Sequence, residues 1–180
     1  MMSLANNGTT AGTMGVKPGV IVNGQADGGK FLTFFLAGEE YGIEILKVHE
    51  IIGMMPITPV PRTPEYIRGV INLRGKVITV VDLRMKFGME SKEPTDLSCI
   101  IVVQTAGVEI GIMVDQVSEV VDIAPGDIDN TPSFGPEVDT DYILGIGKLN
   151  DKVRLLLDID KVLSNSGTVE IQKAAERAVA

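Results

Sequence analysis

One cysteine and one histidine in 180 residues leave little material for metal or nucleophile chemistry. A His/Cys metal cage needs several such ligands, and a Cys-His or Ser-His-Asp constellation is reduced here to one possible base. That base, His49, stands between Val48 and Glu50 in strand-like sequence, the setting of an exposed or partly covered strand residue. Cys99 leads into Ile100, Ile101, Val102 and Val103 and reads as a small buried hydrophobe rather than a reactive thiol. No uninterrupted apolar run approaches the roughly 18 residues of a membrane span, and the N-terminus has neither the basic region nor the apolar stretch of a secretion signal. The expected location is the cytoplasm, with no direct membrane insertion.

Two stretches imitate ligand-binding motifs and fail on detail. Gly24 to Lys30 has the spacing of a phosphate-binding loop, but Phe31 follows where a Ser or Thr must hold the metal, and a strand follows where a helix must begin. Asp127, Asp129 and Thr131 open like a calcium loop, yet Pro132 replaces the turning glycine and Val138 the chelating glutamate. Carboxylate pairs remain conceivable in an acidic chain, but no spacing singles one out. No cofactor and no metal are expected.

What is present is acid, unevenly spread. The net charge is −8, from 16 basic and 24 acidic residues. Residues 30–90 carry eight Lys+Arg and seven Asp+Glu, whereas residues 91–163 carry five and fourteen. Nucleic acid is an improbable partner for such a surface, because phosphate binding requires a basic patch. An asymmetric field suits oriented docking to other proteins.

The hydrophobic content of 44% is enough for one domain, or for two small halves tightly joined. Residues 1–29, rich in Gly, Asn and Thr, show no sustained period and read as a flexible leader. From Phe31 onward short β-branched runs recur, punctuated by Gly38, Gly53, Gly69 and Gly75. Pro56, Pro59, Pro61 and Pro64 exclude one bend from any central strand. Asp82 and Asp158 suit helix N-caps before one or two turns, and residues 164–180 form a tail with weak helical character.

The chain also repeats itself. Residues 38–52 resemble residues 106–121, pairing Gly42 with Gly111, Val48 with Val117 and Glu50 with Glu119 at one offset. A second offset aligns residues 66–87 with 142–163, pairing Tyr66 with Tyr142, Gly69 with Gly145 and Asp82 with Asp158. Two halves of about five strands each are implied, each too small to hide a sheet face alone, so a shared core is expected.

GVINLRG (69–75), with PITPVPRTPEYIRG before it, KVITVVDLR after it and YGIEILKVHEI (41–51) earlier, resembles the CheW domain in order from about Phe31 to Leu163. That resemblance implies an all-β fold of two intertwined five-stranded SH3-like barrels with short helices and a hydrophobic junction. The first barrel would span about 30–90 and the second about 97–160, with possible strand exchange. It further implies an adaptor without enzymatic activity. The groove between barrels would receive the helical tips of chemoreceptors, and the first barrel would pair with the regulatory domain of the histidine kinase CheA.

Carried over residue by residue, the resemblance places Val48, Ile100, Gly111, Val117 and Val120 at the receptor groove, and Glu50, Ile51 and Arg74 on the kinase face. Arg74 has Asn150 as its counterpart, so the duplication keeps the turn and not the charge. Recruitment to membrane-associated receptor arrays would follow. Rival readings are a coupler of another chemosensory pathway, such as type IV pilus motility, a receiver-less relative of CheV, a detached regulatory end of CheA, or a small barrel enzyme. The expectation is a complete small protein, since no receiver-length segment follows Leu163.

Overall fold

A computed structural model describes residues 21–22, 25–26, 28–131, 140–164 and 167–179. In chain order it forms β1 (Ile21–Val22), β2 (Gln25–Ala26), β3 (Gly29–Leu36), β4 (Glu39–Glu44), β5 (Val48–Gly53), β6 (Ile67–Leu73), β7 (Lys76–Asp82) and α1 (Leu83–Lys86). There follow β8 (Cys99–Thr105), β9 (Val108–Val114), β10 (Gln116–Ile123), β11 (Ile128–Asp129), β12 (Ile143–Leu149), β13 (Lys152–Leu157), α2 (Ile159–Ser164) and α3 (Thr168–Val179). Within the segment read as a leader, β1 and β2 pair antiparallel and β3 already begins at Gly29. Most of that leader, and Pro132 and Val138 of the calcium-like stretch, lie outside the described residues.

The long strands make a six-stranded sheet, in the order β10-β3-β4-β13-β12-β11, and a five-stranded sheet, β5-β8-β9-β7-β6. Neither sheet is built from one half of the sequence. The first two strands of each half, β3–β4 and β8–β9, are exchanged into the other half's sheet. The units are therefore barrel A, residues 48–114, and barrel B, residues 28–47 with 115–163, rather than 30–90 and 97–160. The chain crosses between them at the 3-10 turn Ile45–Lys47 and again at Asp115.

The registers obey the duplication residue for residue. In barrel A, Thr79, Val80 and Val81 lie parallel to Ile110, Gly111 and Ile112; in barrel B, their counterparts Leu155, Leu156 and Leu157 lie parallel to Tyr41, Gly42 and Ile43. Val48 faces Val103 as Val117 faces Phe34, and a register shift follows each pair. Both barrels also close alike. Thr58 exchanges backbone hydrogen bonds of 2.8 and 2.9 Å with Val70 on the opposite edge strand, as Asp129 faces Ile146. Gly69 makes that closure possible: its φ is +140°, and a Cβ there would stand 2.1 Å from the Thr58 carbonyl oxygen.

Three apolar clusters result. Ile71, Ile78, Val80, Ile100, Val102 and Met113 fill barrel A, while Phe31, Val121, Ile123, Ile128 and Leu156 fill barrel B. The largest cluster lies between them and joins Phe34, Leu36 and Ile43 to Ile101, Ile110 and Ile112. Burial of such side chains stabilises by roughly 1.5–3 kcal/mol each, so the junction is part of the fold and not a loose interface. Phe34, Tyr41, Phe87 and Tyr142 continue it as an aromatic row with centroids 5.4–6.1 Å apart.

The helices are short and capped from the strands that precede them. Asp82 accepts a hydrogen bond from the Met85 N–H at 3.3 Å, and Asp158 from the Lys161 N–H at 3.2 Å. The C-terminal α3 is held by a polar side chain as well as an apolar one. Gln172 is fully buried; its amide oxygen accepts from the Thr79 N–H and its amide nitrogen donates to the Val77 carbonyl, both at 2.7 Å. Val169 anchors the same helix in the central cluster.

Strand exchange redistributes the charge. Barrel A holds seven Lys+Arg and seven Asp+Glu and is balanced. Barrel B holds six against fourteen, 6 − 14 = −8, so it carries the whole net charge of the chain.

Candidate functional site

β5 and β10 are counterparts, and between them they carry five of the eight residues singled out in the sequence. Alternation along β5 turns Val48, Glu50 and Ile52 inward and His49 and Ile51 outward. Val48 and Val117 both sit half-buried at the rim of the central cluster. Past each register shift the next apolar residue emerges: Ile51 is 45% exposed and its counterpart Val120 is 51% exposed. In β10 the irregular stretch is fixed by Thr33, whose hydroxyl donates to the Glu119 carbonyl at 2.9 Å and accepts from the Glu119 N–H at 3.2 Å.

Ile100 and Gly111 stand elsewhere. Ile100 is fully buried inside barrel A, and a Cβ on Gly111 would meet its Cγ2 at 2.7 Å. These two present no surface; the glycine lets β9 lie close against the isoleucine, and the pair sets the shape of the barrel wall. A side chain at Gly111 would push on Ile100 from within the packed interior.

Arg74 and Glu50 are brought together. The guanidinium, on a side chain 68% exposed, pairs with the Glu50 carboxylate, which is 24% exposed. Arg74 occupies the tight β6–β7 turn with φ +54°, a left-handed conformation that its counterpart Asn150 also adopts at +54°. Asn tolerates that region and Arg does so at some cost. The Asn72 side chain holds the turn by accepting the Gly75 N–H at 2.8 Å.

Sequence reading missed the neighbours of this pair. Glu109 on β9 lies 3.1 Å from the Lys76 ammonium and 3.6 Å from His49 Nε2. It also missed Leu46, 67% exposed at the first crossover, and Val153, 62% exposed on β13. Leu46 interrupts the alternation of a strand-like run, and the 3-10 turn Ile45–Lys47 throws it outward. Cys99 packs half-buried against the central cluster, and burial pushes its thiol up, away from thiolate reactivity. A cavity of about 460 Å³ opens at the other crossover beside Arg84 and Asp115, and none of the eight residues lines it.

Among the described residues no group of three or more His, Cys, Asp or Glu could hold a metal ion, and no helix is long and apolar enough to cross a membrane. Two interlocked barrels, each displaying an exposed apolar residue next to an Arg–Glu contact, define a double-barrel scaffold whose working parts are surfaces. Comparison with known proteins gives that class its family.

Residues 30–167 match the CheW-like domain. The chain is 37% identical to the chemotaxis protein CheW of Klebsiella aerogenes over 85% of its own length and 92% of that protein's. It is 36% identical to the chemotaxis protein CheW of Rhizobium meliloti, over 76% and 88% respectively. It is similar in structure to the crystal structure of the scaffolding protein TtCheW from Thermoanaerobacter tengcongensis, with TM-score 0.69, 38% identity, and 76% and 92% coverage. The chain belongs to the CheW family of chemotaxis scaffolding proteins, which are not enzymes.

Proposed function

We propose that this protein couples chemoreceptors to the histidine kinase CheA through two separate surfaces, working in the cytoplasm at receptor arrays. The carrying observation is the pairing of Arg74 with Glu50 beside the exposed Ile51 on barrel A. A guanidinium held in a left-handed turn, where the repeat uses asparagine, is retained against a local backbone preference, and such positions cluster where function needs them. Glu50, Ile51 and Arg74 form the kinase face in this reading.

The receptor tip lies along Val48, Val117 and Val120, where half-buried and exposed apolar side chains accept an amphipathic helix. Ile100 and Gly111 support that groove from inside barrel A. The experiment is a calorimetric titration of a receptor-tip fragment into a preformed complex with CheA. Binding should persist with little change in affinity; mutually exclusive binding defeats the two-surface reading.

A further inference from the structure

The ion pairs around β5, β7 and β9 share one polarity. Their basic side chains point outward, with side-chain exposures of 68% for Arg74, 51% for Lys76 and 50% for His49. Their carboxylates lie inward, at 24% for Glu50 and 14% for Glu109. At the counterpart of Glu50 in barrel B the cation lies inward and the carboxylate outward. Arg154, on β13, is 1% exposed and reaches the counterpart of Glu50, Glu119, which is 56% exposed. Barrel A is balanced in total charge, yet this patch shows a partner its cationic ends.

We propose that this face of barrel A docks an acidic protein surface, with Arg74, Lys76 and His49 as outward contacts and Glu50 and Glu109 as the anchors that hold them. The inference rests on the assignment of this face to the kinase and adds the chemistry of the kinase surface that meets it. Charge complementarity selects the occupant: the inward carboxylates restrain the cations without covering them, so a partner carboxylate meets prearranged donors. Interactions of this kind act on association and specificity and weaken with salt.

Glu109 sits against both Lys76 and His49, so one inward carboxylate holds two outward side chains in place.

The test is fluorescence anisotropy of the full chain with full-length CheA at low and high salt, repeated with Lys76→Glu. Added salt should weaken binding of the wild type. Lys76→Glu should weaken binding roughly tenfold with an unchanged circular dichroism spectrum. Tight binding that ignores Lys76→Glu or salt overturns the acidic-partner inference while leaving the coupling function intact. Absence of CheA binding under every condition overturns both.

Discussion

Arg84 grips Asp115 at the second crossover, Nε to Oδ1 at 2.7 Å and Nη2 to Oδ2 at 2.8 Å, and the first crossover carries a similar contact with its charges reversed, one residue along from the position equivalent to Asp115. At the first crossover Asp160, the counterpart of Arg84, lies 2.6 Å from the Lys47 ammonium. Each contact ties the helix that follows the last strand of one half of the sequence to a crossover between the barrels. Inverting the charge changes nothing essential, because the contact fixes the path of the chain and either polarity fixes it. The Asp115 carboxylate also accepts the Ala37 N–H at 2.8 Å, which draws the β3–β4 turn into the same clamp.

This clamp gives the fold an acid limit. Burial raises the Asp115 carboxyl, but the Arg84 guanidinium and the Ala37 N–H outweigh it and hold the group below the usual carboxylate range. A depressed folded-state value contributes stability that is present above the unfolded value, about 4, and is lost as pH falls through the folded one. Asp115→Asn should cost about 1–3 kcal/mol at pH 7, and the difference from wild type should shrink towards pH 3. Thermal midpoints of both proteins from pH 7 to pH 3 provide the check, and a constant difference refutes the role.

Arg154 marks where the two barrels part company inside. Its counterpart in barrel A is Ile78, fully buried among aliphatic residues, yet Arg154 is 1% exposed and its Nε stands 3.0 Å from Glu40 Oε1. That approach is a charge contact without good hydrogen-bond geometry, while Nη1 donates to the Leu149 carbonyl at 3.2 Å. Installing the repeat's residue, Arg154→Ile, should destabilise by about 3–5 kcal/mol, because Glu40 is left buried and unpaired. Adding Glu40→Leu should recover much of the loss. Urea titrations of the two single variants and the double variant measure the coupling; additive losses would show that the pair does not act as one unit.

The sequence announces the fold through its repeats and conceals how they are joined. The two offsets pairing Gly42 with Gly111 and Asp82 with Asp158 anticipate strand registers, because counterparts with the same turn residues meet the same neighbours. The offset changes between them because the connector after β10 is longer than the one after β5 (76 − 69 = 7 residues), whereas strand exchange leaves no such trace: one offset runs unbroken through β4 and β5, across the crossover. Residue type cannot separate core from surface in such a structure. Ile100 and Ile51 look alike in sequence, but one points into barrel A and the other into solvent, and the face of its own strand that each occupies decides which. Glu109 went unread because its partners Lys76 and His49 come from two other strands.

Gln172 supplies a third prediction. The tail's apolar face is weak, and sequence periodicity alone gives little reason for it to dock. The helix is instead fastened by a buried carboxamide joined to the backbone of β7 at two points. Gln172→Leu keeps the volume and leaves the Thr79 N–H and Val77 carbonyl without that partner, at a cost of about 1–3 kcal/mol each if they remain buried. Hydrogen exchange read by NMR should show the Thr79 amide losing protection while the Ile78 amide keeps it. Unchanged exchange at Thr79 would mean that the strands, and not α3, protect it.

The prediction with the sharpest bearing on function is that Arg74→Glu abolishes receptor-coupled kinase activation while the protein stays folded. Arg74 lies in a two-residue turn with its side chain largely in solvent, where substitution disturbs packing little. The turn itself prefers the residue its repeat uses, so Arg74→Asn should fold at least as well as wild type and isolates the loss of charge from any effect on the backbone. Reversal to glutamate goes further: it sets a second carboxylate against Glu50 and turns an outward cation into an anion. If Arg74 contacts the partner, affinity should fall at least about tenfold with glutamate and by less with asparagine, since one repels and the other merely fails to attract. Reconstituted kinase activity with receptor should drop to the uncoupled level for Arg74→Glu, with circular dichroism unchanged. A well-folded Arg74→Glu that activates normally would reduce the Arg74–Glu50 contact to an ordinary surface ion pair, which contributes little.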